Sequence, residues 1–309
     1  MNPVDAPAPY HYVTPSEESR YPHLILHFDI NRTLVAFDGI QQKGESDIVI
    51  KTLAEQVEAL WDDTLTHPIS YADYIYYHLL PNPKRSAKIK AEQRDQVYRF
   101  IETLKETDHP LYPEVERRFE EAMASLKSHS TLIFPSFYKL VDFLKEERIS
   151  YTLVLRTFGG DAKALATELN DRLHGPFLVD ISSYAEHHFE SQEEFYYYLK
   201  DAGHHLALTD NWRDWLAHGE EWMHGKPFPI NPNDKTVLSL FFDDHARLSL
   251  EHPQKNAIAP YDLSQGQIHP EEAIRRSCLF PVDTLEALSN ENYYVELVQK
   301  ALAVFSSVK

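Results

Sequence analysis

Short runs of almost wholly apolar residues recur along the chain, and several end in a polar or acidic side chain. The first is His23–Ile30, which carries Asp29 near its end. Others are Tyr151–Leu155, His205–Asp210, Val237–Asp244 and Ala257–Leu263. Runs this short, with no polar position alternating through them, suit strands buried on both faces of a parallel sheet. Helical spacing fills the intervals. Residues 136–148 place Phe137, Leu140, Val141 and Leu144 on one face, with Ser136 as a candidate N-cap. Residues 161–173 read as a further helix, entered through a turn at Gly159 and Gly160. Helices near 270–278 and 291–306 close the pattern. Strand alternating with helix predicts an α/β fold: a doubly wound parallel sheet with helices on both faces.

Two stretches break that alternation. Residues 46–130 carry helical spacing without strands, as in Ile50, Leu53, Ala54, Val57 and Leu60, and again in Val97, Phe100, Ile101 and Leu104. Pro81, Pro83, Pro110 and Pro113 interrupt them, which predicts three or four helices. Residues 1–22, rich in Pro, Ser and acidic residues, read as a flexible or surface-draped arm. The expected organisation is therefore an arm at 1–22, a core from 23–40 and 131–309, and a helical insertion at 41–130. The aromatic clusters at 70–81 and 193–199 read as packing, because aromatic rings fill cores wherever they occur.

Charge narrows the function classes. Against 30 Lys and Arg stand 48 Asp and Glu, a formal net charge of -18. That surface repels phosphate backbones and argues against nucleic-acid binding, while local basic patches could still hold a small anion. No apolar run approaches a membrane span, and the N-terminus lacks a signal-peptide core. Cys278 is the only cysteine, so no intrachain disulfide can form. These features predict a soluble, cytoplasmic protein. None of the 17 histidines falls in a standard zinc spacing.

In a parallel sheet, the carboxyl ends of the strands gather in one crevice, where ligands usually bind. Four segments bring chemistry to that crevice: Asp29, Asn31 and Thr33; Thr157; Lys226; and Asp243 with Asp244. Each alone is commonplace. Their order resembles the haloacid dehalogenase-like (HAD-like) superfamily over about residues 23–265. The first motif of that family, Asp-x-Asp-x-Thr, stands here as Asp29-Ile30-Asn31-Arg32-Thr33. Thr157 takes the place of the second, Gly225-Lys226-Pro227 of the third, and Asp243-Asp244 of the fourth. Lys235 competes with Lys226 for the lysine role.

The resemblance implies a Rossmann-like core with a helical cap inserted between the first and second motifs, here residues 41–130. It implies Mg²⁺ bound by the Asp29 carboxylate, the Asn31 main-chain carbonyl and an acid of the Asp243–Asp244 pair. It implies Asp29 as nucleophile toward a small phosphorylated substrate, giving an aspartyl-phosphate, with Thr157 and Lys226 on the phosphate oxygens. One position departs from the family. Where a second Asp would protonate the leaving group and activate water, Asn31 offers an amide, which hydrogen-bonds but exchanges no proton. Two readings follow. One is a Mg²⁺-dependent phosphohydrolase slowed at one step, with Asp38, His27 or an insertion residue as replacement acid. The other is a HAD-like protein that binds a phosphorylated ligand or a protein partner without turnover.

Overall fold

The computed structural model describes residues 20–36, 44–84, 86–128, 131–173, 177–183, 189–248 and 254–307. The expected 1–22 arm lies almost wholly outside them, as does Asp38. In chain order the strands are β1 (His23–Asp29), β2 (Glu58–Ala59), β3 (Ile69–Ser70), β4 (Tyr151–Thr157), β5 (Phe177–Ser183), β6 (His205–Thr209), β7 (Lys226–Ile230), β8 (Val237–Asp243), β9 (Ile258–Asp262), β10 (Gly266–Gln267) and β11 (Leu279–Pro281). The α-helices are α1 (Glu45–Gln56), α2 (Tyr71–Asp73), α3 (Ala87–Tyr98), α4 (Phe100–Glu106), α5 (Tyr112–Ser128), α6 (Pro135–Glu146), α7 (Ala162–Leu173), α8 (Gln192–Lys200), α9 (Trp212–Ala217), α10 (Pro270–Arg275), α11 (Thr284–Ser289) and α12 (Tyr293–Ser307). A π-helix follows α2 at Tyr74–Leu79, and a 3₁₀ turn, Trp222–His224, precedes β7.

Six strands form the main sheet in the order β11-β8-β1-β4-β6-β5, every neighbouring pair parallel. This is the doubly wound parallel architecture expected from the alternation of strand and helix. Every residue of β1 and β8 is buried, which explains why their sequences run apolar without alternation. Leu24, Leu26 and Phe28 point to one face, where Phe137 and Leu140 of α6, Leu165 and Leu169 of α7, and Val298 and Leu302 of α12 meet them in one apolar cluster. Ile25, Val154, Leu206 and Leu208 point to the other face, against Phe195 and Leu199 of α8.

Several expectations are corrected. Residues 258–262 do not add a strand to the main sheet: β9 pairs in parallel with β7 and antiparallel with β10 in a separate three-stranded sheet. Phe228, Ile230 and Ile258 of that sheet pack on Phe241 and Leu279 of the main one. Ser136 is not the N-cap of α6; Phe134 holds that position with Pro135 following it, and the buried Ser136 hydroxyl donates to the carbonyl of Ala287. Leu60 is exposed and lies beyond α1. Residues 44–128 hold five α-helices and the π-helix rather than three or four, and a two-residue ribbon, β2 with β3. The described part of this stretch gives no strand to the main sheet. Its Ile48, Leu53, Val97, Phe100 and Val115 belong to the same apolar cluster as Phe28 and Phe137. No described helix is long and apolar enough to cross a membrane.

Candidate active site at the carboxyl ends of the strands

Strand register builds the site. Phe28 lies opposite Phe242 on one side and Leu155 on the other, so β1, β8 and β4 end together and carry Asp29, Asp243 and Thr157 to one edge. The chain passes from β1 to β4 on one side and returns later to β8 on the other. The edge above β1 is therefore the topological switch point, the usual crevice of such sheets.

Lys226 enters from the second sheet. Its ammonium donates to Asp243 Oδ2 at 2.7 Å and also to Asp29 Oδ1, bridging two carboxylates. The side chains are 2% exposed for Lys226, 11% for Asp29 and 0% for Asp243, so the three charges are held away from water. Burial pushes the Asp29 carboxyl upward. Lys226 opposes that, Asp243 and Asp244 reinforce it, and the group stands at about 7. Burial alone would lower Lys226, but Asp243 and Asp29 more than reverse that and hold it firmly protonated. Phe158 places its ring 5.0 Å beneath the ammonium. Lys235, the competing candidate, is exposed at the far end of β8. The structure therefore brings Lys226, and not Lys235, to Asp29.

Gly225 explains how the lysine gets so close. Its own backbone angle is ordinary, yet a β-carbon there would meet the Ala257 carbonyl oxygen at 2.4 Å. Only glycine lets the chain pass this near to β9 before turning Lys226 inward.

The acidic pair divides its work. Asp243 faces Asp29 through Lys226, and its Oδ1 accepts from the His245 amide at 2.7 Å. Asp244 is committed elsewhere. Its carboxylate pairs with Arg32 at 3.1 Å and with the His245 ring at 3.1 Å, and its amide donates to Thr33 Oγ1 at 3.2 Å. Burial raises Asp244, but Arg32 and His245 outweigh it and keep the group ionised far below the usual carboxylate range. Arg32 sits in the left-handed region at φ 67, tied down by Asp244 and by Glu55 of α1. Burial raises Glu55 too, and Arg32 and Lys51 bring it down to about 2. Arg32 of the first motif is thus a brace between β8 and α1.

Thr157 is buried at the end of β4, its hydroxyl oxygen accepting from the Gly159 amide at 2.9 Å. Asn31 lies two residues past Asp29, where its Nδ2 donates to Asp161 Oδ2 at 3.2 Å. Its Oδ1 is buried without a hydrogen-bond partner among the described residues. The amide is therefore oriented by Asp161, with its acceptor end left free. Neither Asp161 nor the next network was found from sequence. Arg156, fully buried, donates through Nε to Asp210 Oδ2 at 3.0 Å, contacts His27 Nδ1 at 3.2 Å and donates to the Pro227 carbonyl at 3.0 Å. An Arg directly after the apolar run 151–155 and just before Thr157 was the available signal for it. His27 is consumed in this network: it is fully buried, stacked on Phe241 at 5.1 Å, and its burial and the nearby Arg156 keep it neutral. It is removed as a replacement acid.

No protein-family model matches the chain, and no curated protein matches it. Among solved structures, the chain is similar to a haloacid dehalogenase-like family hydrolase from Xanthomonas campestris. That likeness spans 93% of this chain and 99% of the other, at 10% identity and a TM-score of 0.29. It is too slight to carry any conclusion about activity. The fold and the strand-end site define a Rossmann-like α/β protein with a buried Asp–Lys–Asp centre.

Proposed function

We propose that the chain is a Mg²⁺-dependent phosphohydrolase of the HAD-like type acting on a small phosphorylated compound. The observation that supports this best is the Asp29–Lys226–Asp243 bridge, which places a buried carboxylate beside a lysine at the switch point. A nucleophile toward phosphate needs positive charge at hand to approach an anion, and Lys226 supplies it. Asp29 attacks phosphorus through one carboxylate oxygen. The bond to the leaving oxygen breaks with its electron pair, and water then cleaves the acyl-phosphate. The oxygen donors Asp29, Asp243 and the Asn31 carbonyl suit a hard divalent cation, which would supply charge neutralisation to the phosphoryl oxygens. Asp244, drawn to Arg32, is the weaker candidate ligand. Thr157 stands ready to donate its hydroxyl hydrogen to a phosphate oxygen. Residues 41–130 serve as the cap that chooses the substrate.

Asn31 limits the chemistry. It orients an oxygen but gives up no proton, and loss of acid–base help typically costs about 10²- to 10⁴-fold. Substrates with good leaving groups are therefore preferred. The test is hydrolysis of acetyl phosphate and p-nitrophenyl phosphate with and without Mg²⁺, beside Asp29→Asn. Mg²⁺-dependent turnover lost in that variant is the expected result. No turnover of either compound, with phosphate-ester binding retained, would favour the second reading, a ligand-binding protein without turnover. The unpartnered amide acceptor of Asn31 is compatible with that reading.

A further inference from the structure

Asp214, His218 and His224 form a second cluster that shares no residue with the Asp29 centre. Asp214 lies on α9, His218 caps its C-terminus, and His224 ends the 3₁₀ turn before β7. Asp214 Oδ1 stands 3.3 Å from His218 Nδ1, and its Oδ2 stands 3.2 Å from His224 Nδ1. The two imidazoles face each other at 3.6 Å, and one donor atom from each of the three residues falls within 4.8 Å of the others. An ion with bonds of about 2.0–2.2 Å in a tetrahedral site holds its ligand atoms roughly 3.3–3.6 Å apart. The two short separations use different oxygens of the Asp214 carboxylate, and His218 Nδ1 also lies 2.9 Å from the Asp214 carbonyl oxygen. The three donors are thus gathered at about the spacing an ion needs, and a small side-chain shift brings one Asp214 oxygen to both rings.

The geometry points to a binding site for a divalent transition metal of the zinc class at Asp214, His218 and His224. Two imidazoles and one carboxylate favour Zn²⁺, Co²⁺, Ni²⁺ or Cu²⁺ over Mg²⁺ and Ca²⁺, which take oxygen ligands. The rings lie parallel, within 4°. Binding requires them to tilt so that their lone pairs converge. Both have room to do so, with side chains 47% exposed at His218 and 33% at His224. The open side leaves a fourth position for water. The spacing is Asp-x₃-His-x₅-His, outside the standard zinc patterns, and it reads as a site only once α9 and the 3₁₀ turn are brought together. The ion would tie α9 to the segment that leads through Gly225 to Lys226.

The protein carries its own reporters, because Trp212 and Trp215 lie on α9 and Trp222 opens the 3₁₀ turn. The full, untagged chain is freed of metal, held in excess Mg²⁺ to fill oxygen sites, and titrated with Co²⁺ and with Ni²⁺. Expected is one saturable equivalent, seen as the visible absorption of tetrahedral Co²⁺ and as quenching of tryptophan fluorescence by Ni²⁺. His218→Ala and His224→Ala should each abolish it. His224→Asn, which retains a hydrogen bond to Asp214, should abolish it equally without disturbing the turn. His245→Ala, in the other cluster of possible ligands, should leave it intact. No saturable equivalent in the unaltered protein, or one that survives the paired change His218→Ala/His224→Ala, overturns the assignment. So does an equivalent lost only with His245→Ala.

Discussion

Replacing Lys226 with Met keeps most of the side-chain volume and removes the one cation between Asp29 and Asp243. Both carboxylates are then left together in a place from which water is largely excluded. Removing one partner of a buried charge network typically costs about 3–5 kcal/mol, because the remaining charge is uncompensated. Here two acids share the loss, which points to the upper part of that range in metal-free buffer. The cost should also depend on pH. Asp29 stands at about 7 even with the lysine present, raised above its unfolded value. A raised carboxyl binds its proton more tightly when folded, so stability falls as pH rises through that value. Without Lys226 the group moves higher still, and the variant should lose more at pH 8 than at pH 6, where the proton stands in for the missing cation. Urea unfolding in EDTA at the two pH values measures both effects. Lys235→Met is the control, and as an exposed side chain it should change stability by about 0.5 kcal/mol or less. A loss under about 1 kcal/mol for Lys226→Met, or equal losses for the two lysines, would refute a buried counter-charge at this position.

Other outcomes follow from single residues. Gly225→Ala forces a β-carbon against the backbone of Ala257 and should cost about 1–3 kcal/mol by chemical denaturation, as overpacking does; a neutral result would mean that the close approach relaxes freely. Burial lowers His23 and His205 to about 4, so between 6.5 and 4 the unfolded chain takes up protons that the folded chain refuses. The contribution of these two histidines should therefore be full above about 6.5 and be lost as pH falls across that window, opposite in sign to that of Asp29. His23→Gln should reduce this histidine part of the slope of unfolding midpoint against pH. Asn31→Asp should raise turnover of alkyl phosphates more than that of acetyl phosphate, whose leaving group needs no proton. Equal effects on both would disconnect residue 31 from leaving-group protonation.

The strand-end residues were legible because a parallel sheet converts chain order into spatial convergence. Once Asp29, Thr157 and Asp243 were read as strand ends, their meeting followed from topology. Less legible was the second sheet. Its β7 carries Pro227 and Pro229, which argue against a strand, and they are tolerated because β7 is an edge of that sheet. β11 has three residues, too short for any period to show. Ser136 looked like a cap because caps are common roles for serine, yet tertiary packing turned its hydroxyl to Ala287 instead. Arg156 and Asp210 lie far apart in sequence, and nothing local announces such a pair. Asp161 read as the start of a helix, and its contact with Asn31 spans 130 residues.

The charges around the strand ends are unevenly balanced, and the imbalance has a position. On one side of the sheet, Asp244 and Glu55 meet Arg32 and Lys51, two negative groups against two positive ones. Beneath the edge, Arg156 is matched by Asp210. At Asp29 and Asp243, by contrast, two carboxylates share a single cation, Lys226. An excess of negative charge thus sits where chemistry is proposed; burial is the main cause of the upward shift of Asp29, and the neighbouring Asp243 and Asp244 add to it. An Asp at residue 31 would add a further carboxylate to this edge, within about a hydrogen bond of Asp161. Like charges that close cannot both ionise easily, so one of the pair would keep its proton to higher pH. An amide at the same place accepts the company of Asp161 at no such cost. Asn31 therefore limits the excess negative charge to what one cation can answer, and it gives up proton transfer in doing so.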